Sequence, residues 1–521
     1  MNHHARLRIK GTNLYLDEMM PRPKASVPTS GYGPVPPAYD AGAGGRRARG
    51  WWPTSAGPNA VLQYALPQLR NRSRDARRQN GVADAALATT VENAIGTGIQ
   101  PVFDTPDDGL NRELGELFLD WTDEADADGA LDFYGQQALA LTAMLEAGDC
   151  FTRLRQRRTG DMDTVPLQLQ VLEADYVPEE RNEFRAGGAT VQQGIILDAI
   201  GRRTGYLMYR RHPQDWTAGL ASDAGIPVEV PASEVLHLRQ PRRPGQLRGE
   251  PILTRALIKL RDADQYDDAE LMRQKIAALF AGFVRQPLDD GADGSTGAGG
   301  TLAGQGAPDA DGAALAPLEA GTLQMLEPGE EITFSDPPDS SGYPDFMRQQ
   351  WLSVAVATRG LYETVSGDYS KINDRMWRAA VHDFRRRIEM LQHHIVVYQF
   401  CRPVIRRWLM TAELARAIRR PRGMSDRDFM RVRWAPQRWP HIHPVQDVQS
   451  AVLERNAGFR STSSIIAERG ERRDQVYAEM AAEEAQEREL GLVFPARQPK
   501  GGSASSSDEG GQDGGADRNG A

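Results

Sequence analysis

Cysteine is nearly missing: Cys150 and Cys401 are the only two in 521 residues. Two thiols cannot build a disulfide framework, so a reducing, cytoplasmic site of synthesis is expected. No run approaches 18 apolar residues, and no membrane span is expected. The N-terminus lacks an apolar signal segment, which leaves no secretory reading. Lysine is scarce, confined to Lys10, Lys24, Lys259, Lys275, Lys371 and Lys500, so arginine carries nearly all the positive charge. The dipeptide Gly-Lys does not occur, which excludes a Walker A phosphate loop and the ATPases built on it. His-Glu-x-x-His and Cys-x-x-Cys are absent too, and with them the strong zinc patterns. The adjacent His393 and His394, and His441 and His443, do not make a metal site on spacing alone. No metal, no cofactor and no catalytic residue is therefore assigned.

What is present reads as an ordinary globular composition, 40% hydrophobic and 26% charged, long enough for two or more domains. The net charge of −9 argues against a broad grip on nucleic acid, although not against a channel that nucleic acid passes through. Residues 1–45 have no periodicity and read as a flexible arm. Leu62 to Ile95 is helical around the basic patch L-R-N-R-S-R-D-A-R-R-Q-N, which reads as a solvated face or an inter-subunit ion-pair network. The Gly-x-Gly in N-A-I-G-T-G-I-Q-P lacks the third glycine and the preceding strand of a dinucleotide loop. After a helix over Phe133 to Glu146 come short strands at 150–155, 167–172, 194–197, 206–210, 228–230 and 235–238. The pattern is α+β and helix-dominated, without βαβ alternation.

The chain is organised around an interrupted helical unit, 252–410. Apolar residues from Leu253 to Phe283 recur at threes and fours, which predicts one helix over Ile252 to Arg285, about 50 Å long. A Gly/Ala/Asp-rich excursion follows over 286–320, with ordered pieces expected at Gly321 to Met325 and Glu331 to Phe334. Tyr343 to Leu361 is helical again. Trp377, Val381, Phe384, Ile388, Leu391, Ile395 and Tyr398 then form an apolar seam of heptad spacing, ended or kinked by Pro403. The polar break between these helices, centred on V-S-G-D-Y-S-K-I-N, is expected to be the working part. Residues 411–443 read as irregular, Asp447 to Leu490 as helical with Gly458 and Gly470 as punctuation, and the Gly/Ser/Asp-rich tail as disordered.

Asp262, Asp264, Asp267, Asp268 and Glu270 place five acids in nine residues of the first long helix. Two-metal nuclease chemistry can use such carboxylates. They sit around one helix and do not converge from several elements, which fits a solvated face or the wall of a channel better.

These pieces, in their order, resemble the lambda-type portal proteins of tailed bacteriophages over roughly 39–494. The motifs are Y-D-A-G-A-G-G-R-R-A-R-G-W, L-R-N-R-S-R-D-A-R-R-Q-N, N-A-I-G-T-G-I-Q-P, L-E-A-G-D-C-F, L-Q-L-Q-V-L-E-A-D, H-L-R-Q-P-R-R-P-G-Q-L-R-G-E-P, L-E-P-G-E-E-I-T-F-S-D-P-P, V-S-G-D-Y-S-K-I-N, C-R-P-V and H-P-V-Q-D-V. The resemblance implies a wing over 46–251, a stem helix over 252–285, a clip over 286–338, a second stem helix over 339–362, a tunnel loop over 363–376 and a long wing helix over 377–410. A connector over 411–443, a helical crown over 444–494 and a tail over 495–521 complete it. It also implies a ring, typically dodecameric, at one capsid vertex of the virion, assembled in the host cytoplasm. Double-stranded DNA would pass through it without sequence specificity, driven by a separate terminase whose large subunit docks on the clip. Capsid or scaffold and head–tail connector proteins would be its other partners. The loop residues Ser366, Gly367, Asp368, Tyr369, Ser370, Lys371, Ile372, Asn373, Asp374 and Arg375 would face the DNA, and the five acids would line the channel wall. After S-K-I-N the chain departs from the family's pattern, with Asp374, Arg375, Met376, Trp377 and Arg378 where something like Tyr-Ser-Ser is expected. The readings from other classes are a metal-dependent nuclease using the acidic helix and a capsid scaffold or adaptor.

Overall fold

Asn80 divides the first helical stretch in two. Its side chain accepts the Ala83 N–H and caps a new helix, so α1 (Pro58–Gln79) ends where α2 (Gly81–Ile95) begins. The sequence reading had one helix here, because a single capping asparagine does not disturb the apolar spacing on either side. The computed structural model describes residues 53–215, 225–279, 283–285, 331–333, 342–436, 439, 444–468 and 473–491. Residues 1–52, the Gly/Ala/Asp-rich stretch at 286–330 including 321–325, His441, His443, Gly470 and the tail lie outside the described residues.

Two helices, α3 (Asp108–Thr122) and α4 (Phe133–Ala147), follow strand β1 (Gln100–Phe103). Asp107 and Asp132 cap them by accepting the N–H groups of Gly109, Leu110 and Gly135. The core closes on aromatic rings. Phe118 and Trp121 of α3 meet both Phe133 of α4 and Trp408, with ring centroids 5.2–6.2 Å apart. Trp121 satisfies its buried indole N–H on the Leu167 carbonyl at 2.8 Å.

A three-stranded sheet lies against this core, and a second sheet packs on Phe151, Leu172 and Val235 of the first. β2 (Asp149–Gln156) is the centre of a three-stranded sheet, between β3 (Leu167–Glu173) and β9 (Val235–Arg239), all antiparallel. A five-stranded antiparallel meander holds β4 (Glu183–Phe184), β5 (Thr190–Gln192), β6 (Ile195–Leu197), β7 (Arg203–Met208) and β8 (Val228–Pro231). Consecutive strands pair, as alternation and turn residues lead one to expect. The architecture is helix-dominated α+β.

The helical unit departs from expectation in three places. Ile252–Arg255 is a 3-10 turn, α5 is Leu257–Leu279, and β10 (Phe283–Arg285) pairs antiparallel with β11 (Glu331–Thr333). The expected helix to Arg285 therefore stops early, where the sequence turns to Phe283 and Val284, residues that favour strands. The second helix, α6 (Tyr343–Thr358), ends at Arg359, which adopts the left-handed conformation with φ 60°. A short helix, α7 (Tyr362–Ser366), then occupies the start of what the sequence marked as loop, because Val365 is buried and anchors it against α2.

The third departure is at the heptad seam. α8 (Asp374–Leu391) runs straight into a π-helical segment, Gln392–Cys401, and on into α9 (Arg402–Leu414). Phe384, Ile388, Leu391 and Ile395 are buried as the seam requires, but Tyr398 is 64% exposed. The wider π turn shifts the register, so Val396, Val397 and Phe400 enter the core and Tyr398 turns out. Pro403 does not end the helix: it stands where the π segment passes without a break into α9. The stretch read as irregular holds α10 (Asp426–Phe429) and β12 (Val432–Ala435), which pairs with β1. Beyond it lie α11 (Pro444–Asn456), α12 (Thr462–Glu468) and α13 (Arg473–Leu490). No described helix is long and apolar enough to cross a membrane.

Candidate channel loop and acidic helix

The polar break shrinks to seven residues, 367–373, and its own side chains hold it in shape. Gly367 leaves α7 with φ 71°, a conformation that costs glycine little, and its N–H bonds the Glu363 carbonyl. Ser366 donates to the Tyr362 carbonyl at 2.7 Å. Asp368 is the organiser: it accepts the Ser370 N–H at 3.0 Å, the Ser370 hydroxyl at 2.5 Å and the Tyr362 hydroxyl at 3.1 Å. Those bonds from Ser370 hold its carboxyl below the usual range. The Arg348 guanidinium lies 5.1 Å over the Tyr362 ring and fixes that tyrosine. Tyr369 meets Trp377 edge to face at 5.7 Å. The Ile372 N–H reaches back to the Tyr369 carbonyl at 3.5 Å.

Asn373 closes the loop. Its side chain accepts the Met376 N–H at 2.9 Å, so Asp374, Arg375 and Met376 are the first turn of α8 and not loop, as the sequence reading had them. Asp374 in that turn suits the helix dipole and pairs with Arg378 one turn on. Lys371 stands 3.9 Å from Asp345 in the first turn of α6, with 64% of its side chain exposed. Arg375 is exposed. The loop and the first turn of α8 together present two cations, Lys371 and Arg375, beside a frame of short hydrogen bonds.

The five acids of α5 do not act as a set. Asp264 accepts the Asn80 amide at 2.6 Å, while burial and the charges of Asp268 and Asp267 raise its carboxyl pKa. Asp267 accepts the Tyr343 hydroxyl, whose pKa is pushed up to about 12, chiefly by that bond. Tyr266 stacks on Tyr343 and Phe346, which ties α5 to α6. Glu270 takes hydrogen bonds from Arg273 and Gln274 of its own helix, and these lower its pKa. Asp262 and Asp268 are exposed. The first turn of α6 touches both groups, through Tyr343 to Asp267 and through Asp345 to Lys371. Tyr343, Asp345, Tyr362 and Arg348 went unnoticed in the sequence; Tyr343 and Asp345 could have been found as the aromatic and acidic start of a helix flanked by Gly342 and Pro344.

The other motifs converge on a buried ion-pair knot away from the loop. Asp149, fully buried, accepts Arg248 Nε at 2.5 Å, the Gly249 N–H at 2.6 Å and His237 Nε2 at 3.1 Å. Arg248 spends its other donors on the carbonyls of Val177, Gln193 and Ala174. Gly148 and Gly249 cross so closely that a Cβ on Gly249 would stand 2.0 Å from the Gly148 oxygen. Beside this, Arg70 forks onto Glu179 at 2.8 and 3.1 Å and bonds Asp175, and Arg74 bridges Glu173 and Asp175. Arg70, Arg74 and Arg77 of the basic patch thus serve ion pairs inside the subunit, while Arg72 and Arg78 remain on the solvated face expected of it. Four motifs, L-R-N-R-S-R, L-E-A-G-D-C-F, V-L-E-A-D and Q-L-R-G-E-P, meet here and do structural work. Glu173, Asp175 and His212 come near enough to hold a cation, but Arg74 already neutralises the two acids.

The chain matches the sequence model of "Phage portal protein, lambda family" over residues 44–392. It is 23% identical to the "Probable portal protein" of Halomonas phage phiHAP-1 over 448 residues, 82% of each chain. It is also 23% identical to the "Portal protein" of Escherichia phage N15 over 506 residues, 88% of this chain and 92% of that one. Among solved structures, a chain of the "Neck of native GTA particle computed with C12 symmetry" aligns with a TM-score of 0.45 and 15% identity, over 80% of this chain and 95% of the other. The family match runs from the residues before α1, through both sheets, the acidic helix and the loop, into the π segment. With that span covered, the chain belongs to the lambda family of phage portal proteins.

Proposed function

We propose that copies of this chain close into a ring at the capsid vertex, and that the loop between α7 and α8 borders the channel through which double-stranded DNA is packaged and ejected. The observation that carries this is the family match, which spans every described element up to the π segment. The wing is then 46–251, the stem α5 and α6 with the β10–β11 pair at the clip, the tunnel loop 367–373 with Arg375, and the crown 444–494. A dodecamer, a terminase docked on the clip, and capsid and connector contacts belong to the same reading, as does the absence of catalysis.

The loop's chemistry supports this assignment. DNA passage calls for weak contacts blind to sequence, and Lys371 and Arg375 can meet phosphates while offering no base-reading pair. Asp368 and Asp374 beside them limit sticking. A nuclease reading is not favoured, since Asp264, Asp267 and Glu270 are each engaged separately by Asn80, Tyr343 and Arg273.

The test is a packaging assay with Lys371→Glu and Arg375→Glu combined. Rings should form at wild-type yield, while DNA per particle falls several-fold. Unchanged packaging by rings carrying both changes would remove the loop from the DNA path.

A further inference from the structure

Four guanidinium groups gather where the chain enters α5. Arg242 and Arg255 share one carboxylate, Glu250, with Arg255 3.0 Å from it. Arg359, at the end of α6, lies close enough to act on Arg242, and Arg387 of α8 donates to the Arg359 carbonyl oxygen. The 3-10 turn carrying Arg255 packs against α6, which brings these elements together. Four arginines against one glutamate leave three net positive charges. Neither Arg359 nor Arg387 pairs with a carboxylate among the described residues. Burial, with Arg359 and Arg242 nearby, holds Arg387 down to about 10.

The opposite imbalance stands on α5. Between Leu257 and Asp268, Lys259 and Arg261 stand against Asp262, Asp264, Asp267 and Asp268, leaving two net negative charges, while Glu270 is paired with Arg273. Asp262 and Asp268 are exposed and have no cation partner within 4 Å among the described residues. Burial and the neighbouring Asp268 and Asp267 already push Asp264 up. Each patch is electrostatically unsatisfied in a single chain, and each carries the charge the other lacks.

We infer that the arginine cluster of one copy receives the acidic face of α5 from a second copy. The inference rests on the ring reading above and names the contact that would join neighbours. A ring joins two different patches of identical chains, which is what this pairing supplies. Opposed patches of this kind set register and suppress wrong pairings. Nucleic-acid phosphate is the alternative occupant of a net positive cluster, and the experiment below separates the two. The contact also changes the meaning of the acids: Asp262 and Asp268 are turned toward a neighbour and not toward the channel.

The experiment is a charge exchange read by sedimentation and native mass, on the full chain. Arg359→Glu should weaken assembly at least about tenfold in protein concentration, and Asp262→Lys with Asp268→Lys should do the same. Combining all three should bring assembly back toward wild type. The melting temperature of each variant at low concentration, near that of wild type, establishes that the subunit is folded. If wild type assembles and Arg359→Glu assembles equally well, the contact is wrong while the ring reading stands. If Arg359→Glu keeps the ring but loses retention of duplex DNA, the cluster serves phosphates, and the contact is again overturned. Wild-type chains that never form a ring overturn both readings.

Discussion

Asp149 ties together two stretches a hundred residues apart, and no water-facing route exists for its charge. Burial alone would raise its pKa; Arg248 and His237 outweigh that and hold it far below the carboxylate range. Asp149→Asn removes the close partner of the buried Arg248 guanidinium and leaves it only Glu179, 3.7 Å away, and breaking a buried pair in this way costs about 3–5 kcal/mol. Urea unfolding of the variant beside wild type measures it. The same knot fixes a pH dependence. Burial lowers His237 from its ordinary 6.5 to about 4. Between those values the unfolded chain binds a proton that the folded chain refuses, so stability falls as pH drops from about 6.5 to 4. Asp149, with its folded pKa depressed, stabilises fully above about 3.9 and is lost below that. Melting temperatures of His237→Phe across pH 7 to 4 should fall less steeply than those of wild type.

Elements were legible where local pattern decides and hidden where distant partners do. The six short strands follow from alternation and turn residues, and β6, β7 and β8 pair in succession, but β4 and β5 were not read and the pairing of β2 with β9 skips six strands. The pairing of β1 with β12 joins Phe103 to Val432, and nothing local in either strand announces the other. The π segment escaped because spacings of three and four look alike until one residue, Tyr398, is seen turned out. Pro403 misled for a related reason: the helix passes through it at the end of the π segment, which the sequence did not announce. At the loop, the glycine and the serines pointed to a break, but the side-chain bonds to Asp368 and the Asn373 cap shortened it. Asn80 shows how one residue sets an element boundary. Asn80→Ala removes the cap of α2 and the bond to Asp264, and a loss of about 1–2 kcal/mol is expected in thermal or denaturant unfolding.

At the scale of the molecule, the fold makes sense as one segment of a larger object. α5 leaves Ile258, Leu271 and Met272 exposed, and α6 leaves Val356 70% exposed. The charged patches near them are each unbalanced alone. In the proposed ring, neighbours would cover such surfaces. Because opposed charges contribute, raising salt from about 0.1 to 1 M should loosen assembly, the screening length falling from about 10 to 3 Å. Mass in solution across that range reads the effect, and insensitivity would mean that apolar surface alone holds the neighbours.

The account stands most directly on electron microscopy of the purified full-length protein, with its mass measured in solution. Closed rings of uniform subunit number, with a hole wide enough for duplex DNA, are the expected result. A monomer or dimer that persists across salt and protein concentration would contradict it.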